Sequence, residues 1–282
     1  VSILLWSTVA SAFKITLREL DYVQLLFFAA LFSLLSLFVV LAVRGRLDLL
    51  LHLAPRDILR YGLLGLINPT LYYLILFRAY DLLPAQEAQP LNWTWPIMLT
   101  ILSAPLLKQK LTIRKIVAVF ISFTGVLIVA TRGRPATLQF TDPVGDLLAI
   151  SSSVLWALFW IFNVRDKRDP AVKLFYCFLF GSIYNLIAVF ALSDFSALSL
   201  KGFTGAAYVG LFEMGITFMI WLKALSLSKD SASVGTLAYI TPFLSLVFIY
   251  FIVGERILLS SVAGLMLIVV GILLQMLRRG SE

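Results

Sequence analysis

The chain is cut into apolar blocks long enough to cross a bilayer, joined by short charged links. A hydrocarbon core takes about 20 consecutive apolar residues in helical form. Inside it every backbone N–H and C=O must find a partner within the protein, which restricts spanning structures to helices and closed barrels. Barrel strands alternate polar and apolar residues, whereas these blocks are continuous. Composition agrees: 61% of residues are hydrophobic, 13% are charged and mean hydropathy is +0.97, against about half and about a quarter in soluble domains. The expected fold class is therefore an all-α integral membrane protein. Ten transmembrane helices are expected at roughly 1–17, 22–43, 57–79, 84–107, 112–131, 143–164, 171–193, 202–224, 231–252 and 257–277. The opening run, residues 1–13, has no basic leader and is read as the first span rather than a signal peptide.

The net charge of +8 follows the links between spans, so topology explains it better than nucleic-acid binding. With a cytoplasmic amino terminus, 15 of the 23 basic residues fall on one side, among them Arg44, Arg60, Lys115 and Arg168, and 5 on the other: Arg18, Arg132, Arg134, Lys201 and Arg256. The positive-inside rule then places both termini in the cytoplasm of a multi-pass protein of a bacterial inner membrane. Lys14, Arg78 and Lys223 lie near span ends and are expected to snorkel toward the surface.

Residues 84–96, PAQEAQPLNWTWP, open the fourth span. On a helix Gln86, Gln89, Asn92, Trp93, Pro96, Thr100 and Ser103 share an arc of about 120°. An amide-rich stripe with prolines is costly in a bilayer unless it faces protein or water. It reads as one wall of a polar cavity; the alternative is that the amides only join helices. Pro90, Pro96 and Pro242 are expected hinges, leaving the carbonyls of Gln86, Asn92 and Ala238 without helix partners.

The chain also repeats itself. Gly65 pairs with Gly210 and Arg78-Ala79 with Lys223-Ala224 at an offset of 145; Trp93 pairs with Tyr239, Pro96 with Pro242, Gln109-Lys110 with Glu255-Arg256 and Gly125 with Gly271 at 146. Trp6 pairs with Trp156. Two halves, 1–134 and 135–282, of five spans each must then insert in opposite orientations, the inverted-repeat plan that puts a substrate site at the midplane between halves.

Pro242, Gly254-Glu255-Arg256 and Gly271 in the last two spans resemble the shared pattern of the drug/metabolite transporter superfamily, EamA type. The first half departs from it, with Lys108-Gln109-Lys110 in place of Gly-Glu-Arg. The aromatic and amide content around QEAQPLNW, residues 86–93, is similar to the YddG-type aromatic amino acid exporters. The resemblance implies a basket whose first, third, fourth, sixth, eighth and ninth spans surround a cavity, and export from the cytoplasm.

The residues themselves argue against other classes. One histidine, His52, and one cysteine, Cys177, cannot form a His/Cys metal cluster or a nucleophile with its base, so no enzyme, metal or cofactor is expected. A channel would need rings of repeated ligands. Trp93 and Tyr239 are candidate aromatic walls, or packing beside the prolines. Trp156 and Trp160 lie one turn apart; they either reach the cavity or belong to an interfacial belt. Tyr72 is expected to face inward, since it aligns with Thr217. Glu213, deep in the eighth span and aligned with Asn68, is a candidate for binding a substrate ammonium or a proton, or a satisfied structural carboxyl. The substrate-binding set is Tyr72, Gln86, Gln89, Asn92, Trp93, Trp156, Trp160, Glu213, Thr217 and Tyr239. The expected function is export of small metabolites, foremost aromatic and other neutral amino acids, by alternating access in a monomer within the lipid bilayer. The competing expectations are a same-fold exporter of drugs, organic cations or sugar nucleotides, and a lipid scramblase or flippase.

Overall fold

The computed structural model describes residues 1–51, 53–108, 112–136, 140–163, 166, 168–194, 199–227 and 237–276, the side chains of 222–227 excepted. His52, Gln109, Lys110, the Lys223 side chain and the expected helix start at 231–236 lie outside this set. Among the described residues the regular secondary structure is all helical. The helices are α1 (Ser2–Thr16), α2 (Tyr22–Val43), α3 (Pro55–Leu82), α4 (Ala85–Asn92), α5 (Trp95–Leu107), α6 (Ile113–Ala130), α7 (Pro143–Asn163), α8 (Pro170–Leu192), α9 (Leu200–Trp221), α10 (Ala238–Val253) and α11 (Leu259–Met276). Seven of them, α2, α3, α6, α7, α8, α9 and α11, are long and apolar enough to cross a membrane, and α1 and α10 are shorter apolar helices.

Helix starts follow local chemistry. Asp21 accepts from the N–H groups of Val23 and Gln24 at 2.8 and 2.9 Å, and Ser199 from Gly202 at 2.9 Å, satisfying donors that a helix N-terminus leaves free. Pro55, Pro143 and Pro170 each begin a helix, where a missing N–H costs nothing. Gly254, at φ +81°, ends α10 in the left-handed region, which glycine enters without a Cβ penalty.

The expected fourth span is not one helix. It breaks between α4 and α5 at Trp93–Thr94, so Pro96 sits in the first turn of α5 and not mid-helix. A proline is tolerated there, which is why the chain restarts rather than kinks. Pro242 likewise falls in the first turn of the α-helical part of α10.

Both α3 and α9 contain a π-turn, at Leu66–Leu71 and Gly210–Gly215. Asn68, at φ −145°, leaves the helical region inside the first. A glycine stands beside each turn where two backbones meet. A Cβ on Gly65 would lie 2.5 Å from the Cys177 carbonyl of α8, and one on Gly210 would lie 2.3 Å from the Ala29 carbonyl of α2. Thus α3 packs on α8 and α9 on α2, while α6 packs on α11, with Gly125 and Gly271 allowing the last approach.

At one end of the bundle a polar network joins α3 to the α7–α8 link. Arg168 bonds Asp57 at 2.8 Å and Asp166 at 3.1 Å, and the Tyr61 hydroxyl donates to Asp166 at 2.8 Å. Burial alone would push the Asp166 carboxyl up, but the Arg168 N–H, Tyr61, the Arg168 guanidinium and Arg60 hold it below the usual carboxylate range. At the other end Lys14 does not snorkel. Its Nζ donates to the carbonyls of Tyr80 and Leu83 at 2.7 and 2.9 Å, closing the C-terminus of α3, where a cation is favoured. Arg78 behaves closer to expectation: it is partly exposed, pairs with Asp81 and lies over the Tyr22 ring.

Candidate functional site

A cavity of about 790 Å³ lies between α1, α3, α4, α5, α7, α9 and α10. Trp6, Tyr72, Trp93, Trp156, Trp160, Trp221 and Tyr239 form its aromatic surface, and Gln89, Asn92 and Glu213 its main polar surface. No Lys or Arg lines it among the described residues. The size falls within the range of small-molecule sites, which are mostly apolar with a few placed polar groups.

The polar groups are held by neighbours. The Asn92 amide donates to Ser152 Oγ at 2.9 Å and lies 3.3 Å from the Tyr72 hydroxyl. The Tyr73 hydroxyl donates to Glu213 Oε1 at 3.2 Å, and the Tyr80 hydroxyl to Gln89 Oε1. The π-turn of α9 frees carbonyls from the helical pattern. Trp6 Nε1 donates to that of Glu213 at 3.4 Å, and the Thr217 hydroxyl to that of Phe212 at 2.6 Å. Two lining residues, Trp160 and Thr241, each carry a buried polar atom, Nε1 and Oγ1, with no hydrogen-bond partner among the described residues.

The rings form a connected surface. Tyr72 packs on Trp156 at 4.7 Å between centroids, Trp156 on Phe218 at 5.7 Å, and Trp6 on Phe218 at 5.6 Å. Trp93 and Tyr239 meet edge to face at 6.5 Å, so they make one ledge rather than two facing walls.

Of the ten expected binding residues, eight line the cavity: Tyr72, Gln89, Asn92, Trp93, Trp156, Trp160, Glu213 and Tyr239. Gln86 does not. Its amide donates to the Arg256 carbonyl at 2.9 Å and accepts from the Leu258 N–H at 2.8 Å and the Ser261 hydroxyl at 3.1 Å. The α10–α11 link thus turns it away from the cavity. In exchange the Glu255 carboxylate accepts from the N–H groups of Ala85 and Gln86 at 2.7 and 3.1 Å, capping α4 from across the molecule. Thr217 is fully buried, with its hydroxyl spent on the π-turn. Pro90, Pro96 and Pro242 shape the backbone behind the cavity without lining it.

Sequence reasoning missed Tyr80 and Phe13. Both had a signal: Tyr72, Leu76 and Tyr80 repeat at four, and Trp6, Val9 and Phe13 at three and four, each one face of a helix.

The profile of the EamA-like transporter family matches residues 1–131 and 143–277. The chain belongs to the EamA-like transporter family. This EamA-like transporter is 28% identical over 265 residues to an uncharacterized transporter of Archaeoglobus fulgidus, covering 91% of this chain and 88% of the relative. It is 24% identical over 218 residues to the uncharacterized transporter YvbV of Bacillus subtilis, covering 76% and 70%. Its fold is similar to that of a crystal structure with a TM-score of 0.69 at 22% identity, covering 97% of this chain and 93% of the other. Family and relatives make this a multi-pass small-molecule transporter.

Proposed function

We propose that this EamA-like transporter exports aromatic and other neutral amino acids by alternating access, as a YddG-type exporter would. The observation that carries this reading is the pairing of a broad aromatic surface with polar groups of both kinds in one cavity. A zwitterionic amino acid needs an acceptor for its ammonium, donors for its carboxylate and an apolar face for its side chain. Glu213 accepts, Trp160 Nε1 and the amides of Gln89 and Asn92 donate, and the ledge of Trp93 and Tyr239 receives the ring. A sugar nucleotide would call for basic residues, which the described lining lacks. An organic cation is the second reading, because a carboxylate among aromatic faces also suits a cation.

Ten crossings follow on this reading if α4 and α5 together make one. Two inverted five-helix halves, 1–134 and 135–282, are supported by the two stretches matched by the family profile, by the π-turns beside Gly65 and Gly210, and by the exchange of partners between α3–α8 and α9–α2. The halves would rock about Pro90, Pro96 and Pro242 in a bacterial inner membrane, with both termini cytoplasmic and the protein acting as a monomer.

The test is uptake into proteoliposomes of labelled phenylalanine, tryptophan, alanine, threonine and a quaternary ammonium cation. Saturable transport of the amino acids is expected, and it should fall at least about tenfold in Glu213→Gln, since a charge-assisted contact contributes about 1.5–3 kcal/mol. Transport of the cation alone would replace this reading with the second.

A further inference from the structure

A second buried acidic site lies outside the cavity. Glu87, in the first turn of α4, faces Asp146, in the first turn of α7. They are 2% and 5% exposed, and their carboxyl groups are within hydrogen-bonding reach of each other. Glu87 Oε2 accepts from the Thr141 hydroxyl at 3.0 Å and from Arg132 Nε at 3.4 Å. Glu87 Oε1 and both Asp146 oxygens have no donor among the described residues. Ionised carboxylates only accept, so two of them in contact leave these oxygens unsatisfied and repel each other. Protonating one member supplies the missing donor, and the remaining negative charge is matched by Arg132.

The charges on neighbouring elements leave this arithmetic in place. Asp142, on the α6–α7 link with Arg134, caps α7 through Val144 and Gly145. Glu255, from the α10–α11 link, is taken up by the α4 N-terminus, and Lys14, from α1, by the end of α3.

We propose that Glu87 and Asp146 form a proton-binding site that joins α4 to α7. The two helices pack on each other, and α7 sits tightly on the link that leads into α4, since a Cβ on Gly145 would lie 2.7 Å from the Leu83 side chain. The two helices carry Gln89 and Asn92, and Trp156 and Trp160, into the cavity. Loss of the shared proton leaves two like charges that push these helix ends apart. The proton site stands on its own geometry; its consequence for transport, a rate set by pH on the Arg132 side, rests on the transport reading above.

The experiment separates the two. Infrared difference spectra of the purified protein between acid and alkaline buffer, in a Glu213→Gln background, should show the carbonyl band of a protonated buried carboxyl. That band should be lost in both Asp146→Asn and Glu87→Gln, whose amides keep the shape and restore a donor; two variants guard against one misfolding. Melting in sodium and in potassium should be the same. In liposomes with Glu213 intact, the pH dependence of exchange imposed from the Arg132 side should be lost in Asp146→Asn. A band that survives in both folded variants overturns the site, and so does a sodium-dependent rise in melting temperature without the band, which would make the pair a metal-cation site. A band that behaves as expected with an unchanged transport profile overturns the coupling and leaves the proton site standing.

Discussion

Trp93 and Gln86 stand seven residues apart and do different work. Trp93 presents its ring to the cavity against Tyr239. Stacking contributes about 0.5–1.5 kcal/mol beyond area burial, a factor of about 2 to 13 in affinity. Trp93→Ala should therefore slow tryptophan and phenylalanine transport by that factor while alanine and threonine change less; one common factor for all four, measured as initial rates at matched protein levels, would reduce Trp93 to packing. Gln86 instead spends its amide on Arg256, Leu258 and Ser261. Gln86→Leu strands those groups at about 1–3 kcal/mol. A lower melting temperature in detergent is expected, with transport per folded molecule largely kept. Unchanged melting with lost transport would return Gln86 to the binding site. The amide stripe was legible in the sequence because period 3.6 is local. What each amide bonds was not, because the partners of Gln86 lie some 170 residues away and no local pattern carries that pairing.

At the scale of elements, the sequence repeat pointed to Gly65 and Gly210 but not to their cause. Each stands where its helix touches a carbonyl of another helix beside a π-turn. Helical period and proline position gave most helices within a few residues. They could not foresee that 84–107 restarts at Trp95, because a proline reads alike as a kink and as a first turn. The π-turns had no sequence signature beyond Pro69 in the first. Gly210→Ala puts a methyl 2.3 Å from the Ala29 carbonyl and 2.8 Å from Phe32 Cβ, so backbone must move. Overpacking of this kind costs about 1–3 kcal/mol. The variant should melt lower and lose surface expression, and wild-type melting would show that α2 and α9 part easily at this crossing.

For the molecule as a whole, charge and hydropathy decide class while contacts decide what the class can do. The distribution of Lys and Arg predicts which links face the cytoplasm. In a Cys177→Ala background, a cysteine at the exposed Arg44 should react with an impermeant maleimide only after the cells are opened, and one at the exposed Lys201 in intact cells. Labelling of both from one side would remove the opposed orientation of the two halves. Seating of α3 on α8 and of α2 on both α8 and α9 has a consequence for how the protein is made. During synthesis α2 and α3 leave the ribosome before α8 and α9 exist. For the time it takes to translate that stretch, the close-approach face at Gly65, Asn68 and Pro69 has only lipid or an insertion chaperone against it. Completion of the carboxyl-terminal half is then the event that closes the amino-terminal half, and a ribosome stalled near residue 135 would release a product that quality-control proteases can recognise by its exposed polar kink.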